Sequence, residues 1–192
     1  MDTEAIDQRP FVPKRLLTVA DYHRMAEAGV FAPDERVELI EGEIVEVPPV
    51  GPDHIGLVND LNEALVAAAI GKAIVSVRNP VVLPEHSEPE PDFALLRLRA
   101  GRYRKEKPLP GDVLLLIEVA DSTLRYDAEV KVPLYAAFGV PETWLIDVRA
   151  ERLTRFVGPT RSGYARSEAP GDLRALEAVA LPGTRFDLSG LF

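Results

Sequence analysis

The sequence has no cysteine, no long apolar run and no excess of positive charge, and each absence excludes a class of protein. Without cysteine the chain forms no disulfide, thiolate nucleophile or Cys-ligated metal site, so any metal must be bound by oxygen atoms or by one of three histidines. No apolar stretch approaches the ~20 residues that a membrane span needs, and the N-terminus lacks the apolar core of a signal peptide. These absences predict a cytoplasmic protein without a membrane partner.

The net charge of −9 argues against a surface that neutralises many nucleic acid phosphates. One segment is an exception: residues 97–107, RLRAGRYRKEK, carry six basic side chains and one acidic one. Arg102, Arg104 and Lys105 are therefore candidates for nucleic acid contact, and Tyr103 between them could stack on a base. The alternative is that this segment is a soluble hairpin loop with no partner.

The length of 192 residues and the apolar content of 46% suit one domain with a sizeable core. Residues 1–17 contain two prolines and no apolar period, which predicts an N-terminal arm. No boundary separates two cores after it. We therefore expect a single domain over residues 18–192.

The pattern of apolar residues predicts an α/β fold in which helices flank a mixed β-sheet. Thr18 and Asp21 form a capping signal for the first helix, and the long second helix is expected to bury Ile55 and Leu61 on its apolar face. Helices are predicted at 18–29, 53–71 and 127–138; strands at 73–77, 80–84, 91–96, 113–119 and 142–148; and additional N-terminal and C-terminal hairpins at 36–47 and 152–168.

Glu118 is an acid inside the apolar run LLLIEVA, where an unpaired carboxylate costs several kcal/mol. Asp92 stands in a similar setting, at the opening of the preceding apolar strand. Two carboxylates on neighbouring strands can share one divalent cation, and Mg²⁺ and Mn²⁺ prefer oxygen ligands. The pair therefore predicts a Mg²⁺ or Mn²⁺ site.

Lys131 is the third candidate catalytic residue. Asp127, Lys131 and Tyr135 are spaced by four residues, which places them on one helical face. A lysine beside two carboxylates and a metal can orient a water or stabilise a phosphoryl transition state. The alternative is a buried structural ion pair between Lys131 and Glu118. Pro133 indicates that the regular helix begins only just before it.

These residues carry a resemblance to a known family. PD at 91–92, IEV at 117–119, Lys131 and YAAFGVPETWLID resemble the Uma-type family of restriction endonuclease-like proteins, a branch of the PD-(D/E)XK nuclease superfamily. The resemblance runs from Thr18 to the C-terminus. It implies a restriction-endonuclease-like core, Asp92 and Glu118 as Mg²⁺ ligands, and metal-dependent hydrolysis of nucleic acid phosphodiester bonds. DNA is the expected partner, and a homo-oligomer, a dimer, is expected because such nucleases often need two sites to cut two strands.

The sequence departs from the wider superfamily in one respect. The usual third strand has an acid, any residue and a lysine, whereas Val119 and Ala120 follow Glu118 here, and the lysine is found on the next helix as Lys131. The source of a further acid stays open, and the candidates are Glu43, Asp60 and Glu63. His54 at a helix start could contact the metal or a phosphate, while Asp127 and Tyr135 are further site candidates or, alternatively, a helix cap and a core aromatic.

Two functions of different classes follow from these residues. The first is an endonuclease in which Mg²⁺ is held by Asp92 and Glu118, and Lys131 positions the attacking water or the scissile phosphate. The second is a non-catalytic, oligomeric interaction module that keeps the nuclease fold and pairs Glu118 with Lys131 as structure.

Overall fold

The structure is a computed structural model that describes residues 13–192, so residues 1–12 of the predicted arm lie outside the described residues. The helices are α1 (Val19–Glu27), α2 (Pro52–Ala69), α3 (Leu124–Tyr126) and α4 (Val132–Ala137). The strands are β1 (Val37–Ile40), β2 (Glu43–Glu46), β3 (Ile74–Val77), β4 (Phe93–Leu96), β5 (Val113–Ala120), β6 (Glu142–Asp147), β7 (Arg152–Thr160), β8 (Gly163–Glu168), β9 (Leu176–Glu177) and β10 (Arg185–Phe186).

Six of the strands form one mixed sheet in the order β3-β4-β5-β6-β7-β8. Only the central pair β5 and β6 is parallel, and the helical segment after β5 makes the crossover between them. β1 pairs with β2, and β9 with β10, as two small antiparallel hairpins. The predicted mixed sheet with flanking helices is therefore present, and the predicted C-terminal hairpin, β7 and β8, extends the main sheet.

Both predicted N-terminal elements form for local reasons. The Thr18 side chain accepts a hydrogen bond from the Asp21 N–H, and the Asp21 carboxylate accepts one from the Thr18 N–H, which completes a capping box for α1. Glu41 and Gly42 both adopt positive φ, 50° and 82°, at the turn between β1 and β2. Two such residues in succession give the tight hairpin turn that the sequence indicates.

Helix α2 packs a face slightly different from the predicted one. Leu61, Leu65 and Ala69 are buried as expected, but Ile55 is 48% exposed and Leu57 and His54 are buried instead. Residues four positions apart lie on nearly the same side of a helix, so Ala69, Leu65, Leu61 and Leu57 form one buried row. Ile55 lies outside this row. The prediction for Ile55 is wrong, and the corrected face brings His54 to the sheet.

The predicted strand at 80–84 is also wrong. The backbone N–H groups of Val81 and Leu83 donate to the nearby Pro89 and Ser87, and that of Val82 donates to the distant Pro108, so an isolated bridge between Leu83 and Ser87 forms in place of a continuous ladder. Pro80 and Pro84 lack an N–H and restrict pairing at both ends. The apolar run is buried, as a strand would be, but as an irregular segment.

The helical segment after β5 consists of α3, a π-helical stretch at Asp127–Lys131 and α4. Pro133 has no N–H to donate to the Glu129 carbonyl, and the preceding residue, Val132, donates to Asp127 across the wider turn. Asp127, Lys131 and Tyr135 are all buried on the side that faces the sheet.

Two apolar clusters cover the two faces of the sheet. One joins α2 and the C-terminal segment to the sheet, with Trp144 and Phe186 in edge-to-face contact at a ring distance of 5.7 Å. The other joins α4 and the segment around Val81 to the opposite face. No helix among residues 13–192 is both long and apolar enough to cross a membrane.

Candidate active site

The register of the two central antiparallel strands brings the predicted acids together. Phe93 on β4 is paired with Ile117 on β5, so the preceding Asp92 stands opposite the following Glu118. Residues opposite each other across antiparallel strands have Cβ atoms about 4.5–5.5 Å apart. The backbone N–H of Val119 donates to Asp92 Oδ2 at 2.9 Å, which fixes the Asp92 carboxylate against the end of β5.

The other oxygen of Asp92 lies among basic groups. Asp92 Oδ1 is 3.2 Å from His54 Nε2 and accepts a hydrogen bond from Arg78 Nε at 3.2 Å. Burial by itself raises the pKa of Asp92, but the contacts with His54, the Val119 N–H and the Arg78 guanidinium outweigh it and lower that pKa. Asp92 is therefore ionised at neutral pH and available as an anionic ligand.

Glu118 is buried among other acids. Its Oε1 accepts a hydrogen bond from the Tyr135 hydroxyl and lies 3.3 Å from Lys131 Nζ. The pKa of Glu118 is raised to about 8, mainly by burial; Lys131 acts to lower it, and the nearby charges of Asp127 and Asp92 add to the increase. The carboxylate thus lacks sufficient positive charge around it when no cation is bound.

The ammonium group of Lys131 also contacts an acid that the sequence did not identify. Lys131 Nζ lies 3.0 Å and 3.1 Å from the two carboxylate oxygens of Glu38 on β1. Burial lowers the pKa of Lys131, but Glu118, Glu38 and Asp127 outweigh it and raise that pKa, so the side chain is protonated. A protonated lysine can orient an anion or a water but cannot act as a base.

Asp127 and Tyr135, the further candidates on the helical segment, also reach this cluster. The Thr123 hydroxyl donates to Asp127 Oδ2 at 2.6 Å, and burial raises the Asp127 pKa despite the opposing effect of Lys131. Tyr135 is completely buried, and its hydroxyl holds Glu118 in place. The face that the spacing of four residues predicts is thus assembled, with the π-helical turn inside it.

Apart from Tyr135, which lies behind Glu118, these side chains line one cleft of about 350 Å³. Asp92, Glu118, Glu38 and Asp127 face Lys131 and Arg78 there, so two negative charges are uncompensated when all four acids are ionised. No three His, Cys, Asp or Glu side chains in the described part of the chain form a ready metal-binding group. Asp92 and Glu118 nevertheless fit Mg²⁺, which is commonly held by one or two carboxylates with water in the remaining positions.

Other predicted residues lie away from the cleft. Glu43 is exposed on β2 and binds Lys14 at 2.9 Å, and Asp60 and Glu63 are exposed on α2. The segment 97–107 follows the end of β4 that is distant from Asp92, so Arg102, Arg104 and Lys105 stand at the opposite end of the sheet from the acids. The structure therefore does not bring these three basic side chains together with the acids.

Sequence reasoning missed Glu38 and Arg78. Glu38 lies between Val37 and Leu39, and alternation in a hairpin would place it towards solvent, but all four residues of β1 are buried. Arg78 follows β3 with a positive φ of 48°, and its backbone N–H donates to the Asp92 carbonyl at 3.0 Å. The burial of Glu38 is a property of the folded structure that alternation does not indicate, and nothing in the pattern marks Arg78.

A family model described as "Uma2: Putative restriction endonuclease" matches residues 19–189. The chain belongs to the Uma2 family. The order of Asp92, Glu118 and Lys131, on which the resemblance rested, therefore lies within a matched Uma2 sequence, and recognition of the family from the sequence is confirmed. No curated protein sequence matches the chain.

One solved structure agrees with this Uma2 chain over nearly its whole length. It is described as "a putative nuclease belonging to DUF820" from Anabaena variabilis, with a TM-score of 0.69 and 15% sequence identity, and the match covers 92% of this chain and 97% of that one. At this identity the likeness shows the fold. The predicted restriction-endonuclease-like architecture is confirmed.

Proposed function

We propose that this Uma2 protein is a divalent-metal-dependent nuclease that hydrolyses phosphodiester bonds, with DNA as its expected substrate. The observation that supports this most is the placement of Asp92 and Glu118 opposite each other on neighbouring strands, with Lys131 Nζ 3.3 Å from Glu118. All three side chains line the same cleft. Two acids and a cation in this arrangement suit phosphoryl transfer.

Asp92 and Glu118 would hold the metal, Mg²⁺ or Mn²⁺. A bound divalent cation would act as a Lewis acid at the phosphoryl group. The residues fit such an ion because buried Glu118 has a raised pKa and because the acids of the cleft outnumber its permanent cations. Glu38 would hold Lys131 in place and not bind the metal, since both of its carboxylate oxygens contact the Lys131 ammonium group.

The hydrolysis forms a bond between a water oxygen and phosphorus and breaks the bond from phosphorus to one ester oxygen. The water loses a proton and the leaving oxygen gains one, so the products are a phosphomonoester and an alcohol. Lys131 stays protonated between Glu38 and Glu118, and it positions the water or a phosphate oxygen through its N–H groups. Tyr135 and Thr123 orient Glu118 and Asp127 by donating hydrogen bonds.

Calorimetric titration of Mn²⁺ tests the metal site. The wild-type protein is expected to bind Mn²⁺, and Asp92→Asn is expected to lose most of the affinity because it removes one anionic ligand. Asp34→Asn, an exposed acid outside the cleft, serves as the matched control and should bind as the wild type does. Thermal melting of all three proteins checks that they fold, and labelled DNA then tests hydrolysis by the proteins that bind metal.

A second function, a non-catalytic oligomeric interaction module, is favoured by one observation. Lys131 contacts Glu38 and Glu118 at once, so the protein itself compensates part of the buried charge. In that case neither the wild type nor Asp92→Asn would bind Mn²⁺, and sedimentation would show a stable assembly. The proposed nuclease is also expected to be a dimer, so the metal titration is the experiment that separates the two functions.

A further inference from the structure

We infer that the cleft accepts a flexible, single-stranded stretch of nucleic acid and excludes a continuous duplex. The inference rests on the proposed nuclease function and names its substrate class. Four features of the described residues carry it: the depth of the acids, the charge of the lining, the apolar wall, and the position of the basic segment 97–107.

The first feature is depth. The side chains of Asp92 and Glu118 are 12% and 4% exposed, and Lys131 is 8% exposed, in a cleft of about 350 Å³. Sites of this size enclose a small molecule or one unit of a polymer. A phosphate in a duplex is held in a stiff rod with a persistence length of about 50 nm, and it cannot leave its neighbours to enter such a cleft. A phosphate in a single strand can.

The second feature is charge. Among the described residues that line the cleft, seven are acidic, and only Arg36, Arg78 and Lys131 carry permanent positive charge. Duplex DNA presents one negative charge about every 1.7 Å and is bound by neutralising several of them at once. Lys131 is already paired with two glutamates and Arg78 with Asp92, so at most Arg36 and Arg78 can contact phosphates, which is enough for a short strand and too few for a duplex.

The third feature is the apolar wall of the cleft. β2 and the connection from β2 to α2 contribute apolar side chains to the cleft: Val45, Val47, Pro48, Pro49 and Val50. Tyr126 lines the same cleft, and its buried hydroxyl has no hydrogen-bond partner among the described residues. Paired bases are hidden in a duplex, whereas an unpaired base exposes an apolar face that can pack on such a surface.

The fourth feature is the basic segment. Residues 97–107 lie at the opposite end of β4 from Asp92 and therefore do not offset the acidic lining. Arg99 is paired with Glu106 there and also lies over the Tyr103 ring, 5.3 Å from its centre. A duplex drawn to this segment would remain away from the acids.

The test compares cleavage of one sequence in two forms with Mn²⁺ present. An end-labelled oligonucleotide of 30 nucleotides is assayed as a single strand and annealed to its complement, as DNA and as RNA, beside relaxed closed-circular plasmid and bis(p-nitrophenyl) phosphate. The single strand is expected to be cut at least tenfold faster than the duplex, and the plasmid is expected to stay intact. Equal rates on both forms, or linearised plasmid, would overturn the inference.

Failure of the inference is distinguishable from failure of the proposed function. If the small diester is hydrolysed and Mn²⁺ binds, but the single strand is not preferred, the nuclease chemistry stands and the substrate class is wrong. If Mn²⁺ does not bind and no diester is hydrolysed, the proposed function is wrong and the inference fails with it.

A charge variant at the cleft provides a second measurement. Glu46 ends β2 and lines the cleft, so Glu46→Gln should lower KM for the single strand about twofold to fivefold by removing charge repulsion. KM for bis(p-nitrophenyl) phosphate, which has a single charged phosphate, should not change comparably. Glu27→Gln, an exposed acid at the end of α1, is the matched control and should leave KM unchanged. An equal change in KM for Glu46→Gln and Glu27→Gln would show that the acidic charge of the cleft does not affect binding of the single strand, which would contradict the inference.

Discussion

Lys131 supplies the positive charge that makes Glu38 and Glu118 tolerable inside the protein. Replacing it by methionine keeps most of the apolar stem but leaves two buried carboxylates without their cation. Breaking a buried ion pair by removing one partner costs about 3–5 kcal/mol. Urea denaturation at pH 8 should show a loss of this order for Lys131→Met.

Lys14→Met is the control for this prediction. Lys14 also pairs with a glutamate, Glu43, at 2.9 Å, but the two side chains are 78% and 58% exposed. Exposed pairs contribute little to stability. If both variants lost the same free energy of unfolding, the burial of Lys131 would not be the cause.

The raised pKa of Glu118 predicts how stability depends on pH. Its pKa is about 8 in the folded protein and near 4.5 in the unfolded chain, so the folded state binds the proton more tightly. This contribution to the free energy of unfolding is complete below about pH 4.5 and is lost as the pH rises through 8. Urea denaturation without divalent ions at pH 5.5 and pH 8.5 should therefore show a larger loss for the wild type than for Glu118→Gln, which cannot titrate.

A divalent cation should reduce this dependence. A cation bound at Asp92 and Glu118 would stabilise the ionised carboxylate, and binding to the folded state alone adds about 2.7 kcal/mol at a concentration 100 times Kd. The same two measurements with saturating Mn²⁺ are therefore expected to converge. A wild type whose pH dependence matches that of Glu118→Gln without metal would contradict the assignment of the shift to Glu118.

The residues that the sequence revealed were those whose chemistry conflicts with their surroundings. Glu118 inside an apolar strand had to find a partner, and the spacing of Asp127, Lys131 and Tyr135 pointed to one. Glu38 and Arg78 escaped notice because their positions depend on how β1 and the end of β3 meet the main sheet. Contacts between elements that are distant in sequence do not appear in the pattern of apolar and polar residues along either element.

At the scale of elements, Glu142 connects the sheet to the C-terminal segment. Its carboxylate is completely buried, and it accepts hydrogen bonds from Trp144 Nε1, from Arg155 Nε at 2.8 Å and from the backbone N–H of Val179 at 2.7 Å. Glu142→Ala leaves all three donors without this acceptor, including a charged one. The expected loss is about 3–5 kcal/mol in the free energy of unfolding, measured by urea denaturation.

Glu168→Ala is the matched control at the other end of the same arginine. Glu168 also pairs with Arg155, at 3.2 Å, but its side chain is largely exposed on β8. Little change in stability is expected there. A loss as large as that of Glu142→Ala would mean that the arginine, and not the buried acceptor, determines the effect.

The elements that the sequence predicted well have local causes. The capping box of α1 and the turn at Glu41 and Gly42 depend on a few neighbouring residues, and both form as expected. The prediction of a strand at 80–84 is wrong because an apolar, β-branched run suits any buried extended segment equally well. The backbone N–H groups of this run donate partly to the nearby Ser87 and Pro89 and partly to the distant Pro108. Neither the order of the six strands nor the end of the sheet at which the acids meet could be derived from such local rules.

At the scale of the whole molecule, the acidic net charge and the small number of arginines in the cleft limit how nucleic acid can bind. The net charge is −9, and besides Lys131 the described lining of the cleft offers two cations: Arg36, and Arg78, which also contacts Asp92 at 3.2 Å. For single strands the slope of log K against log salt is about −0.7 for each neutralised phosphate. Two phosphates therefore predict a slope of about −1.4.

This slope can be measured with Glu118→Gln, which is expected to bind a labelled single strand without cutting it. Fluorescence anisotropy between 50 and 200 mM salt should give the shallow slope, and adding Arg36→Gln should bring it closer to zero by about 0.7 because one phosphate contact is lost. Arg104→Gln on the distant basic segment should leave it unchanged. A slope steeper than about −3 that Arg104→Gln reduces would instead place nucleic acid on residues 97–107, where Arg102, Arg104 and Lys105 were first expected to bind it.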